Sequence, residues 1–194
     1  MFHTRGQPGL HKSVRYFESI HKEGSFVPTN SDTTIFGFDL GTKTGYAWTH
    51  TGKANASLSG HVDLKPRRHE GGGMRFLRFR KLLQELMPSP HDDEYIVFYE
   101  EVASHKGTAA AHIYGGLLGV LCEFCESRDI PYRGLPVGTI KKHATGRGNA
   151  SKADMVARAH TVFGKPGSST EMIYSDDQAD ALWTLSLGLK ELNE

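Results

Sequence analysis

Cysteine is scarce in this chain: Cys122 and Cys125 are the only two in 194 residues. Spaced as CxxC, they supply half of a zinc site, and no second cysteine pair exists to complete it. Both fall in an apolar helical pattern, where a free thiol packs as a small hydrophobe in a reducing compartment. Net charge is equally scarce. The formal total is +1, so a nucleic-acid partner has to be argued from where the charges sit and not from their sum. Long apolar runs are missing too, none approaching the roughly 20 residues of a membrane helix. The N-terminus lacks the apolar core of a signal peptide, so the expected location is the cytoplasm, with no membrane partner. What is there is an ordinary globular composition, 38% hydrophobic and 23% charged. The length suits one domain with a sizeable core.

The chain is organised around Thr34–Trp48. An apolar run, Ile35-Phe36-Gly37-Phe38, suits a buried strand and ends on one acid, Asp39. Gly41 and Gly45 bracket Thr42, Lys43 and Thr44, and a second apolar run begins at Tyr46. Two strands joined this tightly read as a β-hairpin. A carboxylate in a core strand costs free energy unless it is paired or holds a metal, so Asp39 asks for a cation. Residues 1–33 read as a mobile N-terminal extension, with a short helix at His11–His21 as its one periodic stretch. The domain is residues 34–194. Its strands are expected at Thr34–Leu40, Gly45–His50 and Ala56–Leu64, an antiparallel meander, then at Glu94–Val102 and Ile130–Leu135. Helices are expected over Met74–Met87, Gly107–Arg128, Pro136–Thr145, Lys152–Phe163 and Asp176–Leu192, the last two capped by Ser151 and Ser175. Loops fall at Lys65–Gly73 and Lys165–Thr170. The fold class is α/β, with a five-stranded mixed sheet ordered 3-2-1-4-5 and flanked by helices.

Two stretches are locally basic. From Lys65 to Lys81 there are Lys65, Arg67, Arg68, Arg75, Arg78, Arg80 and Lys81 against one acid, Glu70. A flexible basic loop running into a basic helix can track a phosphate backbone, though helix surfaces are normally charged. The second stretch holds Lys141, Lys142, Arg147 and Lys152 with no acid among them, around the Gly-rich turn Gly146–Ala150. Backbone amides, a helix start and lysines together suit a phosphate cradle; a solvated loop is the plainer reading. His105 and His143 read as solvated or packing residues; an anion contact is the lesser alternative for His143, beside its lysines.

The acids point the other way. Asp177 and Asp180 are three apart on the last helix and share a face that continues through Ala181, Thr184 and Leu187 toward the core. Glu100 and Glu101 end the fourth strand, and side chains alternate along a strand, so only one of them can join a given neighbour. Strands one and four are adjacent in the expected order. Asp39, one of the two glutamates, Asp177 and Asp180 therefore converge. Four clustered carboxylates repel one another unless divalent cations sit between them, and oxygen-only ligands select Mg²⁺ or Mn²⁺ over zinc. Two such ions about 4 Å apart suit in-line phosphodiester displacement.

Four segments, FGFDLGTKTGYAW, FYEEVASHKGTAAAHIYGGLLGVL, GTIKKHATGRGNASKADM and DDQADALW, in that order and spacing, resemble the RuvC-type Holliday junction resolvases. That family belongs to the RNase H-like (retroviral integrase) superfamily, and the resemblance runs from about Thr34 to Leu189. It implies an RNase H-like nuclease domain and a crossover junction endodeoxyribonuclease. Such an enzyme acts as a homodimer that resolves four-way DNA junctions by paired symmetric nicks, using two Mg²⁺ ions per site, with Mn²⁺ as a substitute. The family's metal-binding and catalytic acids carry over to Asp39, Glu100, Asp177 and Asp180, with Glu101 as the alternative strand acid. The family's Gly-x-Gly-x-Ala-x-Lys segment matches Gly146 to Lys152 and places Lys152 at the scissile phosphate. Lys141 and Lys142 match a backbone-binding position, and Arg147, Arg67, Arg68 and Arg75 complete the expected DNA-binding set. Ala103 stands where bacterial members commonly carry an aromatic, and the Lys65–Gly73 loop is unusually basic. Both imply a looser preference for branched DNA, as in phage-encoded relatives. The helix Gly107–Arg128, with its small residues, is the expected dimer seam. The competing readings are a flap or fork nuclease, an RNA–DNA hybrid nuclease of RNase H type, and a junction-binding module without catalysis.

Overall fold

A computed structural model describes residues 33–51, 58–88, 94–104, 107–164 and 175–194. The His11–His21 helix, nearly all of the N-terminal extension, His105 and the Lys165–Thr170 loop lie outside the described residues. The strands are Thr34–Asp39 (β1), Lys43–His50 (β2), Leu58–Asp63 (β3), Tyr95–Glu101 (β4) and Tyr132–Pro136 (β5). They form one mixed sheet in the order β3-β2-β1-β4-β5, the order expected from the sequence. β1 pairs antiparallel with β2 and parallel with β4; β3 extends the meander, and β5 runs parallel to β4. The C-terminal ends of β1, β3, β4 and β5 and the start of β2 therefore share one edge of the sheet.

Among the described residues five helices follow in the gaps: α1 (Met74–Leu86), α2 (Thr108–Glu126), α3 (Val137–Thr145), α4 (Lys152–Phe163) and α5 (Asp176–Leu192). Alternation along the strands sorts them into two layers. Phe36, Phe38, Val97 and Tyr95 pack with Phe79, Leu83, Leu117, Leu121 and Phe124 of α1 and α2. Ile35, Ala47, Ile96, Phe98 and Leu135 pack with α3, α4 and α5 on the opposite face. Both layers are built on fully buried side chains, and burying a large apolar side chain contributes about 1.5–3 kcal/mol each.

Two sequence expectations are corrected. β5 starts at Tyr132, not Ile130, because the Ile130 amide is spent on Cys125 O (2.9 Å), closing the end of α2, with Asp129 in a left-handed turn (φ 54°). Pro131 has no amide to give the ladder, and only its carbonyl joins, accepting from Val97 N at 2.9 Å. The second correction concerns apolar runs: α2 has 19 residues with mean hydropathy 1.3, enough by length and composition to cross a membrane. Here it lies on the sheet through Tyr114, Leu117, Leu121, Phe124 and Cys125. The two cysteines are free thiols, Cys125 buried and Cys122 half-buried.

Candidate metal centre

β1 and α5 build the site together. Gly37 lets the helix touch the strand: a Cβ there would lie 2.5 Å from Leu185 N and 2.6 Å from Ala181 O. At Gly45, directly across from Asp39 in the ladder, a Cβ would collide with the main chain of Asp177. Only glycine allows this backbone-to-backbone seating. It sets the first turn of α5 over the end of β1. Ser175 begins the helix with a full capping box, accepting from Gln178 N at 3.2 Å while Gln178 Oε1 accepts from Ser175 N at 3.2 Å. Such a cap contributes about 1 kcal/mol and fixes where the helix starts.

The result is a trio. Carboxylate oxygens of Asp39, Glu100 and Asp180 lie within 4.8 Å of one another, all half-buried. Glu100 follows Phe98 and Ile96 on the α5 face of β4, the face that carries Asp39 on β1. Glu101 falls on the opposite face beside Tyr99 and is exposed, so strand alternation separates the two glutamates. Asp177 is not part of the trio. Its main chain rests on Gly45, and its charge still bears on Asp39.

Crowding acids out of water makes them hold protons. Burial first, then the charges of Glu100 and Asp180, hold Asp39 well above the usual carboxylate range. Burial and the Glu100 charge push Asp180 up to about 7. Glu100 is also raised by burial, but a hydrogen bond from Asp39 and the charges of Lys141 and Lys152 pull it back. Oxygen donors alone, converging in a half-buried cluster, fit a hard divalent cation such as Mg²⁺ or Mn²⁺ better than zinc, whose sites are built mainly on histidine and cysteine.

The basic residues divide. Lys141 of α3 and Lys152 at the start of α4 both act on Glu100 and Asp180. Trp183 Nε1 of α5 donates to Met155 O at 3.1 Å, which ties α4 to the helix that carries the acids. Lys152 Nζ lies 3.9 Å from Asp176 Oδ2. Lys142 is exposed, and Arg147 is drawn to Asp154 at 3.4 Å. Arg67 and Arg68 are exposed in the loop that leaves the site edge after β3. Arg75 turns back, donating to Gly72 O at 3.2 Å, with a buried nitrogen that has no hydrogen-bond partner among the described residues. His143 packs on Trp183 and meets Ser186 Oγ at 2.9 Å, the packing reading.

One positioning contact is all but silent in the sequence. The Tyr114 hydroxyl of α2, reaching across from the other face, bonds the main chain on both sides of Glu101. A lone polar tip on an apolar helix face is its only signal.

Two solved structures share this architecture. Thermus thermophilus RuvC in complex with a Holliday junction substrate superposes with a TM-score of 0.63 at 20% identity, covering 79% of this chain and 90% of that one. The chain has an RNase H-like fold. A second Thermus thermophilus RuvC structure gives a TM-score of 0.56 at 17% identity, with 79% and 91% covered. No protein-family model matches the chain, and no curated protein matches it in sequence. The RNase H-like sheet thus places the carboxylate trio at the strand ends, where β1, β4 and α5 meet.

Proposed function

We propose that this chain is a metal-dependent, structure-selective endodeoxyribonuclease that resolves four-way DNA junctions as a homodimer. The observation that carries the reading is the trio of Asp39, Glu100 and Asp180, gathered within 4.8 Å under two lysines. A protein that only bound phosphate would not collect negative charge at its site. Asp39, Glu100 and Asp180 would hold the first divalent ion, and Asp177 stands beside them for a second. The chemistry such ions supply is Lewis-acid assistance to in-line phosphodiester hydrolysis.

The chain's own residues do the rest. Lys152 and Lys141 flank the acids and offer positive charge to the phosphate to be cut. Lys142 and Arg147 extend that charge along the backbone on one side, and Arg67 and Arg68 on the other. A twofold homodimer presents two such sites to the two strands of a near-symmetric junction. The absence of an aromatic at Ala103 favours tolerance of other branched substrates.

The test is cleavage of a labelled synthetic four-way junction with Mg²⁺, beside linear duplex, a flap, a fork and an RNA–DNA hybrid. Paired nicks in the junction, lost in Asp180→Asn while binding persists, are the expected result. Equal cutting of flaps and forks keeps the chemistry and replaces junction selectivity with general branch cleavage. Cutting of the hybrid alone, or of nothing, overturns the proposal.

A further inference from the structure

Asp39 closes β1, Asp180 sits within α5, and Glu100 lies one residue before the end of β4. β4 ends at Glu101, and its ladder to β1 ends one residue before Glu100, at the Phe38–Tyr99 pair. On its other side β4 pairs with β5 through Glu101, and the Val102 peptide beyond that ladder needs a separate support.

That support comes from the opposite layer. Tyr114 is 8% exposed in the core between α2 and the sheet. Its hydroxyl donates to Glu100 O at 3.1 Å and accepts from Val102 N at 3.2 Å. One oxygen thus satisfies a carbonyl and an amide two residues apart, fixing the backbone on both sides of Glu101. Burial raises the Tyr114 pKa above its ordinary value, so the hydroxyl keeps the proton it donates.

We propose that Tyr114 is a positioning residue for the metal centre: its hydroxyl clamps the end of β4 and so aims Glu100 at Asp39 and Asp180. This rests on the metal-centre reading for its functional consequence, but not for its geometry. Outer partners of metal ligands commonly matter this way, and losing one lowers metal affinity about 10–100-fold.

The test is Tyr114→Phe in the full chain, which removes one oxygen and keeps the ring. Mn²⁺ binding, read by calorimetry on folded protein, should weaken about tenfold. Affinity within twofold of the unaltered chain overturns the clamp as a functional device. A second readout needs no metal. Glu100→Gln relieves crowding with Asp39 and Asp180, so it should raise the melting temperature of the metal-free chain. In the Tyr114→Phe background Glu100 is already released, and the rise should fall by half or more. Equal rises in both backgrounds overturn the proposal, because a hydroxyl with a merely structural role would leave them equal. If the unaltered chain binds no Mn²⁺, the metal centre fails, and the melting cycle alone decides whether Tyr114 aims Glu100.

Discussion

The two basic stretches look alike as sequence and differ as structure. In the first, Arg78, Arg80 and Lys81 are each taken up by an acid on the surface. Arg78 forks onto Glu70 at 2.6 Å and onto Lys65 O at 3.0 Å, Arg80 pairs with Glu123, and Lys81 sits 3.6 Å from Glu85. In the second, Lys141 and Lys152 come from separate helices and converge on acids of β4 and α5. Exposed pairs such as those of α1 contribute about 0–1 kcal/mol and little field beyond the surface. Lys141 and Lys152 act on acids that are half-buried, where charge counts for more than between two exposed groups. Density of charge along the chain therefore says less than what lies across from it.

The comparison breaks hardest at the acids. Asp180→Asn should lower junction cleavage about 1,000-fold or more, a loss of roughly 4 kcal/mol of transition-state stabilisation. It should also change stability in a direction that identifies the cluster. Asp180 titrates at about 7 in the folded chain against an ordinary value of 3.8. The folded state therefore binds more protons than the unfolded state between those values, and stability falls as pH rises through that window. Metal-free protein should melt at a higher temperature near pH 5 than near pH 8. Asp180→Asn should flatten that slope, and Mn²⁺ should restore the loss at pH 8 by binding the folded state. A slope unchanged by the substitution would place the titration elsewhere.

The next effect tests the second stretch directly. Lys152→Ala should reduce cleavage about 100-fold, with Lys141→Ala smaller, the low end of the range expected when one electrostatic partner is removed from a preorganised site. Both remove a charge that lowers the carboxyl pKa values of Glu100 and Asp180. In the metal-free chain those two groups should then titrate at higher pH, measurable by carbon NMR of the carboxyls. Cleavage lost with no movement of the carboxyls would leave Lys152 at the phosphate and detach it from the acids.

Much of this was legible from residue order alone. The antiparallel meander, both serine caps and the helix face shared by Asp177 and Asp180 follow from periodicity and end signals, which are local, whereas placing β4 beside β1 goes with the family resemblance. Asp39 and Asp180 could be paired because a buried strand acid and an inward helix acid each need an explanation. What the chain order did not show is set by distance through space. Strand alternation demanded one of Glu100 and Glu101 without choosing, since the choice depends on which face α5 covers. Asp177 shares a helix face with Asp180 yet stays outside the trio, because Gly45 seats its main chain against β2. Arg75 reads as a surface cation in the sequence, but its guanidinium turns back on Gly72. Tyr114 carried no signal beyond one hydroxyl among apolar neighbours.

The smallest effects belong to the first stretch, and they split it in two. Arg67→Ala with Arg68→Ala should weaken junction binding severalfold. The salt dependence of affinity should fall by about one unit of slope for each phosphate no longer neutralised. Arg78→Ala and Arg80→Ala should do neither, because those guanidinium groups are engaged with Glu70 and Glu123. They should cost at most about 1 kcal/mol of stability each, read as a small shift in the denaturant midpoint. Arg78 should cost the more of the two, since it also holds the Lys65 carbonyl and is the less exposed pair. If Arg80→Ala lowered the salt slope as much as Arg67→Ala, the pairing with Glu123 would have to open on DNA. The first stretch would then be a phosphate track along its whole length, and its difference from the second would lie only in the resting protein.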